Sequence, residues 1–373
     1  MRLLTVVTAV ATLGACSGHS FERFFSSGEQ YLAAGQFPEA AIQFQNAARA
    51  DPQSSAAQMK LGDTYMALNQ RAQAAAAYEL GCAHDSSNRP ACLAAAAQLL
   101  ALGEYERAAT EARTVLTSDR FNLDAQLILA SALAGVRRFA DAEERLAAIL
   151  AAVPDNARAY RTLGEVQWQR GNAAAAEASL LRSIALDSST AGSRVSLAQL
   201  YFDTERAGDA ERQLRSALDA SPTDLAATRM YASYLVDANR CEDAEPYWLN
   251  VAARSPDDSG VLSLADYYML SERPDDALRV LQPLTAKRGH AGPAESRIAA
   301  ILYDRGDRAT AAQVVDALLT QDPSNVNALI LKARMFLDDR DVAQAREYAH
   351  RAAAMAPRAA AVREVLAAIG ADR

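Results

Sequence analysis

An alanine returns along this chain on a nearly fixed beat, at Ala40, Ala74, Ala108, Ala142, Ala176, Ala210, Ala244, Ala277, Ala311 and Ala345. The spacing is 34 residues throughout, except for one interval of 33 before Ala277. Such a period marks one supersecondary unit stacked on copies of itself, and it constrains the fold before any local propensity is weighed. The alanine has a steric reading: where a second helix crosses the first of its own unit, only a small side chain fits. A companion position twelve residues earlier is glycine or alanine in every unit, from Gly28, Gly62 and Ala96 to Ala299 and Ala333. Half the residues are hydrophobic but only 6% are aromatic, which suits closely approached helices and not a β-sandwich.

Numbering each unit from 1 puts that alanine at position 20 and the Gly/Ala at position 8. Pro52, Pro154, Pro222, Pro256, Pro323 and Pro357 fall at position 32, where a helix must end. Gly35, Gly103, Gly171 and Gly306 fall at position 15, in the tight turn between the two helices. Position 24 carries larger apolar groups, among them Phe44, Tyr78, Leu146, Leu180, Leu214, Trp248 and Leu281.

The tract Gly28-x-x-Tyr31, Ala40, Phe44, Ala47, Pro52, repeated as Leu61-Gly62-x-x-Tyr65, Ala74 and Tyr78, resembles the tetratricopeptide repeat. The resemblance implies an all-α fold, a right-handed superhelical solenoid of about ten helix-turn-helix repeats. These are placed at 21–54, 55–88, 89–122, 123–156, 157–190, 191–224, 225–257, 258–291, 292–325 and 326–359. Residues 360–373 are expected to form a capping helix and tail over the apolar face of repeat ten. Repeat eight is the least regular: its second helix is expected to stop near Leu284, with a looser stretch from Thr285 to Pro293.

The chain opens with Arg2, a short apolar run from Leu3 to Thr12, and then Leu13-Gly14-Ala15-Cys16. One positive charge before a short apolar stretch is a signal-peptide pattern, too short for a membrane span. The Leu-Gly-Ala-Cys tract resembles the lipobox of bacterial lipoproteins. The resemblance implies a signal peptide over 1–15, lipidation of Cys16, and a tether over 16–20. Several acyl chains anchor firmly, since each buried CH₂ contributes ~0.8 kcal/mol. Ser17 after the lipid site resembles outer-membrane sorting signals, and that resemblance implies a protein of the bacterial envelope, anchored in the outer membrane and facing the periplasm. The alternative is an ordinary secretory signal with an incidental cysteine.

With 38 basic and 46 acidic residues the net charge is −8, which argues against nucleic acid and against a polybasic membrane-surface protein. Cys82 and Cys92 fall at adjoining helix ends, either as a disulfide in an oxidising compartment or as two small packed side chains. His19, His84, His290 and His350 are scattered, and the Cys82-x-His84…Cys92 cluster matches no standard zinc spacing. Phosphate loops and nucleophile elbows do not occur, and the repeats consume the rest of the chain. The expectation is a non-enzyme with no cofactor and no metal.

In the family, ligands meet the first helix of each repeat at positions 2, 5, 6, 9, 12 and 13, which line a concave groove. Read here, these positions give an apolar stripe that includes Met59, Leu93, Leu127 and Val195. A chemically richer patch follows in Arg158, Arg161, Glu165, Trp168, Gln199, Phe202 and Arg229. Apolar stripes mark binding surfaces, and tryptophan and arginine are frequent anchors of interfaces. The plainer reading buries the stripe between neighbouring helices and leaves Arg and Glu as a solvated pair. Asp203, Asp237, Asp304 and Asp338 at position 13 crowd helix C-termini, where the dipole disfavours them, so an Asx bond into the turn or a basic partner is expected. The Lys and Asn of a two-carboxylate clamp are missing.

Together these features point to a lipid-anchored scaffold that binds proteins or extended or helical peptide segments. Its opening tract, Tyr31 to Ala47, resembles repeat lipoproteins of pilus, exopolysaccharide and exosortase-type systems. A carbohydrate- or peptidoglycan-binding groove, with Trp168, Phe202 and Tyr303 stacking on sugars, is the alternative. A regulatory subunit of an envelope enzyme ranks last.

Overall fold

The computed structural model describes residues 11–285 and 291–371, with side chains for 20–285 and 292–370. Cys16 and the expected signal peptide therefore lie outside the described side chains. Among the described residues the chain is a succession of paired helices, in two compact units, residues 1–230 and 231–373. The repeat pattern does not announce that division.

In the first unit α1 (Ala11–Ala33) pairs with α2 (Phe37–Ala50), and α3 (Ser55–Ala67) with α4 (Arg71–His84). Then come α5 (Arg89–Ala101) with α6 (Tyr105–Ser118), and α7 (Leu123–Gly135) with α8 (Phe139–Ala152). The pairs α9 (Ala157–Gln169) with α10 (Ala173–Leu186) and α11 (Ala191–Asp203) with α12 (Ala207–Ala220) follow. Helix α13 (Leu225–Asp237) carries the division between the units.

The second unit continues with α14 (Cys241–Arg254), then α15 (Ser259–Leu270) with α16 (Pro274–Thr285). It closes with α17 (Ala291–Asp304) and α18 (Arg308–Gln321), α19 (Val326–Asp338) and α20 (Val342–Met355), and α21 (Ala360–Ala371). Odd-numbered helices are the first, or A, helices of the repeats, and even-numbered ones the second, or B, helices.

The ten alanines at position 20 are all 0% exposed, which fixes why nothing larger stands there. Position 8 faces position 24 of its own repeat. A Cβ built on Gly28 would lie 2.8 Å from the Phe44 ring, and one on Gly62 would lie 2.5 Å from the Tyr78 ring. Glycine at 8 thus makes room for the Phe44 and Tyr78 rings, and Gly164 does the same for Leu180, where a Cβ would lie 2.7 Å from its Cγ.

Position 15 adopts positive φ in all ten repeats. The four glycines do so at no steric cost, and Asn69, Arg137, Glu205, Asn239, Glu272 and Arg340 do so at φ of 55–62°. The A–B turn is therefore set by the helices on either side, whichever residue occupies it. The B–A turn is set by capping at position 34. Ser54, Asn88, Asn122, Asn156, Asp224 and Asn325 each accept the backbone N–H three residues on, at 2.8–3.3 Å.

Cys82 on α4 and Cys92 on α5 are joined as a disulfide, their Cα atoms 4.8 Å apart, and both are buried. In repeat eight, α16 runs to Thr285, one residue beyond the expected stop. The looser stretch is partly corrected: Gly292 and Pro293 sit in the first turn of α17, where proline's missing N–H costs nothing, and 286–290 lie outside the described residues. Helix α21 buries Val362, Val365 and Ile369 in one cluster with Leu329 and Ile330 of α19 and Ala345 and Ala349 of α20. That cluster is the cap.

Candidate binding groove

The patch expected in repeats five to seven is assembled on the A helices of the first unit. Arg158 on α9 reaches back to Asp124 on α7 at 2.5 Å. Arg161 and Glu165 lie one turn apart on α9, 3.8 Å from each other, an ion pair too long for a hydrogen bond. Glu165 also accepts a hydrogen bond from Ser196 of α11 at 2.8 Å. The Arg161 guanidinium lies over Gly192, where a Cβ would meet Nη1 at 2.4 Å, so glycine at position 2 of repeat six gives the arginine its berth. Gln199 donates to Asp203 at 3.2 Å, and Trp168, Phe202 and Arg229 are half-buried. The Nε atoms of Arg161 and Arg229 are buried without a hydrogen-bond partner.

The apolar stripe needs correction. Leu127 is 6% exposed and belongs to the core with Leu99, Leu129 and Leu146. Met59, Leu93 and Val195 are half-buried, packed respectively beside Tyr78, the Cys82–Cys92 bridge and Ala227. Neighbouring A helices meet along positions 5 and 12, so these side chains fill the seam between repeats. In the first unit the large exposed apolar groups within helices lie elsewhere, with Ile42, Leu80 and Leu181 on B helices. The groove of the first unit is therefore a polar, arginine-bearing surface with aromatic edges.

Two of the four position-13 carboxylates are answered by side chains of this chain. Asp338 accepts from the Tyr303 hydroxyl and from Arg308 at 2.9 Å, and Asp203 accepts from Gln199. These side chains, and not bonds into the following turn, offset the unfavourable helix end.

A cleft in the second unit was not legible as a site. Ser233, Val236 and Asp237 of α13, Trp248 of α14, and Ser263, Asp266, Tyr267 and Leu270 of α15 enclose about 250 Å³. Trp248 is 8% exposed, its ring 6.4 Å from that of Tyr267, and its indole Nε1 has no hydrogen-bond acceptor. Asp266 is held by both Nε and Nη2 of Arg297 at 2.7 and 2.8 Å. A second hollow, which shares only Asp266 of α15 with the first, is lined by Ser296 and Arg297 of α17 and by Ile330 and Arg334 of α19. The sequence signal, visible in retrospect, was a tryptophan at position 24 opposite Ala232 where the other aromatics face glycine.

The ligand-type atoms of Cys82, Cys92 and Glu111 lie within 4.8 Å of one another. The disulfide commits both sulfurs to each other. Burial, and then the Glu79 carboxylate, raise the Glu111 pKa above its ordinary value.

A family model described as tetratricopeptide repeat matches residues 26–88, 129–191, 195–259, 262–326 and 296–360. Repeat three falls outside these matches, yet α5 and α6 complete it with the same geometry. Among curated proteins none matches the chain. A tetratricopeptide repeat protein from Parabacteroides merdae is 16% identical over 70% of this chain and 99% of its own, with a TM-score of 0.51. A thermophilic repeat protein from Thermus thermophilus is 25% identical over 49% of this chain and 100% of its own, at TM-score 0.43. PilF of Pseudomonas aeruginosa is 21% identical over 57% of this chain and 96% of its own, at TM-score 0.42.

Proposed function

We propose that this chain, which belongs to the tetratricopeptide repeat family, is a lipid-anchored envelope scaffold that captures partner segments on its A-helix face during assembly or secretion of surface structures. Repeats of this type serve protein–protein interaction, and their fold is in general non-catalytic. The observation that carries the site is the row on α9 and α11. There Arg161, Glu165, Trp168, Gln199 and Phe202 share one face and remain partly open. A half-buried tryptophan between charged groups is the composition of an interface anchor, with the seam residues beneath it as support. The envelope part of the reading is supported by the Leu13-Gly14-Ala15-Cys16 tract.

Crosslinking in the native cell, followed by purification and mass spectrometry of attached molecules, tests the scaffold. Recovery of surface-assembly proteins, lost on Trp168→Ala with Phe202→Ala, is the expected result. Capture unchanged by that pair moves the site elsewhere, and recovery of glycan alone turns the groove into a sugar-binding surface. Cys16→Ala is expected to release the protein from the membrane fraction.

A further inference from the structure

We propose that the Trp248 cleft receives a lysine or arginine side chain of a partner segment, its charge meeting Asp237 and a backbone carbonyl of the same segment meeting the Trp248 indole N–H. The inference rests on the reading above that partner segments lie on the A helices, and it names the chemistry of a second contact point.

Three features of the cleft select this ligand. The first is the indole. Trp248 is more than nine-tenths buried, lines the cleft, and holds an N–H without an acceptor. A buried donor left unpaired costs free energy, so an occupant that supplies an oxygen gains from filling it.

The second is a difference between the two carboxylates on the walls. Asp266 is already neutralised by the two-pronged contact with Arg297. Asp237 is the last residue of α13, exposed, with no ion pair among the described residues, and the helix dipole adds negative potential at that end. A cation is what that wall lacks. One available carboxylate suits an ammonium or guanidinium, and it rejects an acidic ligand.

The third is the floor. Val236 and the Tyr267 ring flank the cleft, and Leu270, 71% exposed, forms an apolar rim. The aliphatic stem of lysine or arginine lies on such a surface while its charged head reaches the carboxylate. About 250 Å³ accommodates one such side chain with part of its backbone.

The test uses the full-length protein and three fluorescein-labelled hexapeptides, with leucines flanking a central lysine, norleucine or glutamate, read by fluorescence anisotropy. The lysine peptide is expected to bind about tenfold tighter than the norleucine peptide, and the glutamate peptide weakest. Asp237→Asn should remove most of that preference. Asp304→Asn, at the matching position of repeat nine, should leave it intact. Trp248→Phe keeps a ring and deletes the donor, and should weaken all peptides by a common factor of about three to ten. Equal binding of lysine and norleucine peptides, or an Asp237→Asn variant that retains the preference, overturns the proposal. Asp237 is exposed and unpaired, so its variant folds even if the tryptophan variant does not. Failure here leaves capture through Trp168 and Phe202 untouched, whereas failure of the scaffold reading appears as absent capture in the native cell.

Discussion

Glycine and alanine decide this architecture at the residue scale, because the two helices of a repeat approach through positions 8 and 20. Replacing Gly62 by alanine would ordinarily add helix propensity. Here the new Cβ would stand 2.5 Å from the Tyr78 ring, and overpacking of that kind costs about 1 to 3 kcal/mol. Gly208, in the first turn of α12, has nothing within 4 Å of a built Cβ, and Gly208→Ala should stabilise by up to about 1 kcal/mol. Urea midpoints of the two variants should therefore move in opposite directions. If both rise, position 8 is not the tight contact. At position 15 the reasoning inverts. Arg137 is exposed at φ 62°, so Arg137→Gly should gain about 0.5 to 1 kcal/mol, and a fall in its midpoint would mean that the side chain supports the turn. The small residues at 8 and 20 were legible in the sequence because every repeat states them. The positive φ at position 15 was legible only where glycine stood. Arginine and glutamate carry no mark of a conformation that their neighbours impose.

Between elements, consecutive repeats are joined by a recurring clamp. Tyr201 of α11 donates to Glu177 of α10 at 2.8 Å, and Arg206 donates to the same carboxylate at 2.9 Å and to Asp209 at 2.7 Å. Arg206 also lies 4.2 Å above the Tyr201 ring. The second unit repeats the device with Tyr268, Glu245, Arg273 and Asp276. Burial first, and then the bond to Glu177, push the Tyr201 phenol up to about 12. Because its folded value is raised, the stability it contributes is fully present below the ordinary value of 10 and is lost as pH rises through about 12. Arg206 first, and then Tyr201, hold the Glu177 carboxyl below its usual range. That contribution is present above the ordinary carboxylate value and is lost as pH falls through the lowered one. Absorbance titration at alkaline pH should show one late tyrosine fewer in Tyr201→Phe, and Glu177→Gln should bring that tyrosine to lower pH. Tyr201→Phe should also cost about 1 to 2 kcal/mol, and an unchanged alkaline titration would remove the clamp from the account. The repeat period does not reveal this clamp, because the partners sit on different helices and the motif recurs in only some repeats. The groove was half legible for a related reason. Periodicity places Arg161 and Trp168 on one face, but it does not tell an open stripe from a seam, and Leu127 proved to be core.

For the molecule as a whole, stability in a repeat array is carried from neighbour to neighbour, so a local lesion should be felt most strongly nearby. The chain contains two tryptophans, and they fall in different compact units, Trp168 in residues 1–230 and Trp248 in residues 231–373. Each single-tryptophan variant therefore reports on one unit. Two lesions separate the units by design. Deleting residues 360–373 uncovers Leu329, Ile330, Ala345 and Ala349, which α21 otherwise buries. Reducing the Cys82–Cys92 bridge frees α4 from α5 in the first unit, at a cost on the order of 2 to 4 kcal/mol. Deletion of the cap should lower the urea midpoint seen by Trp248 more than the midpoint seen by Trp168. Reduction should do the reverse. Should both tryptophans shift together under either lesion, the array unfolds as one cooperative block, and nearest-neighbour coupling is too strong for the units to be told apart by stability.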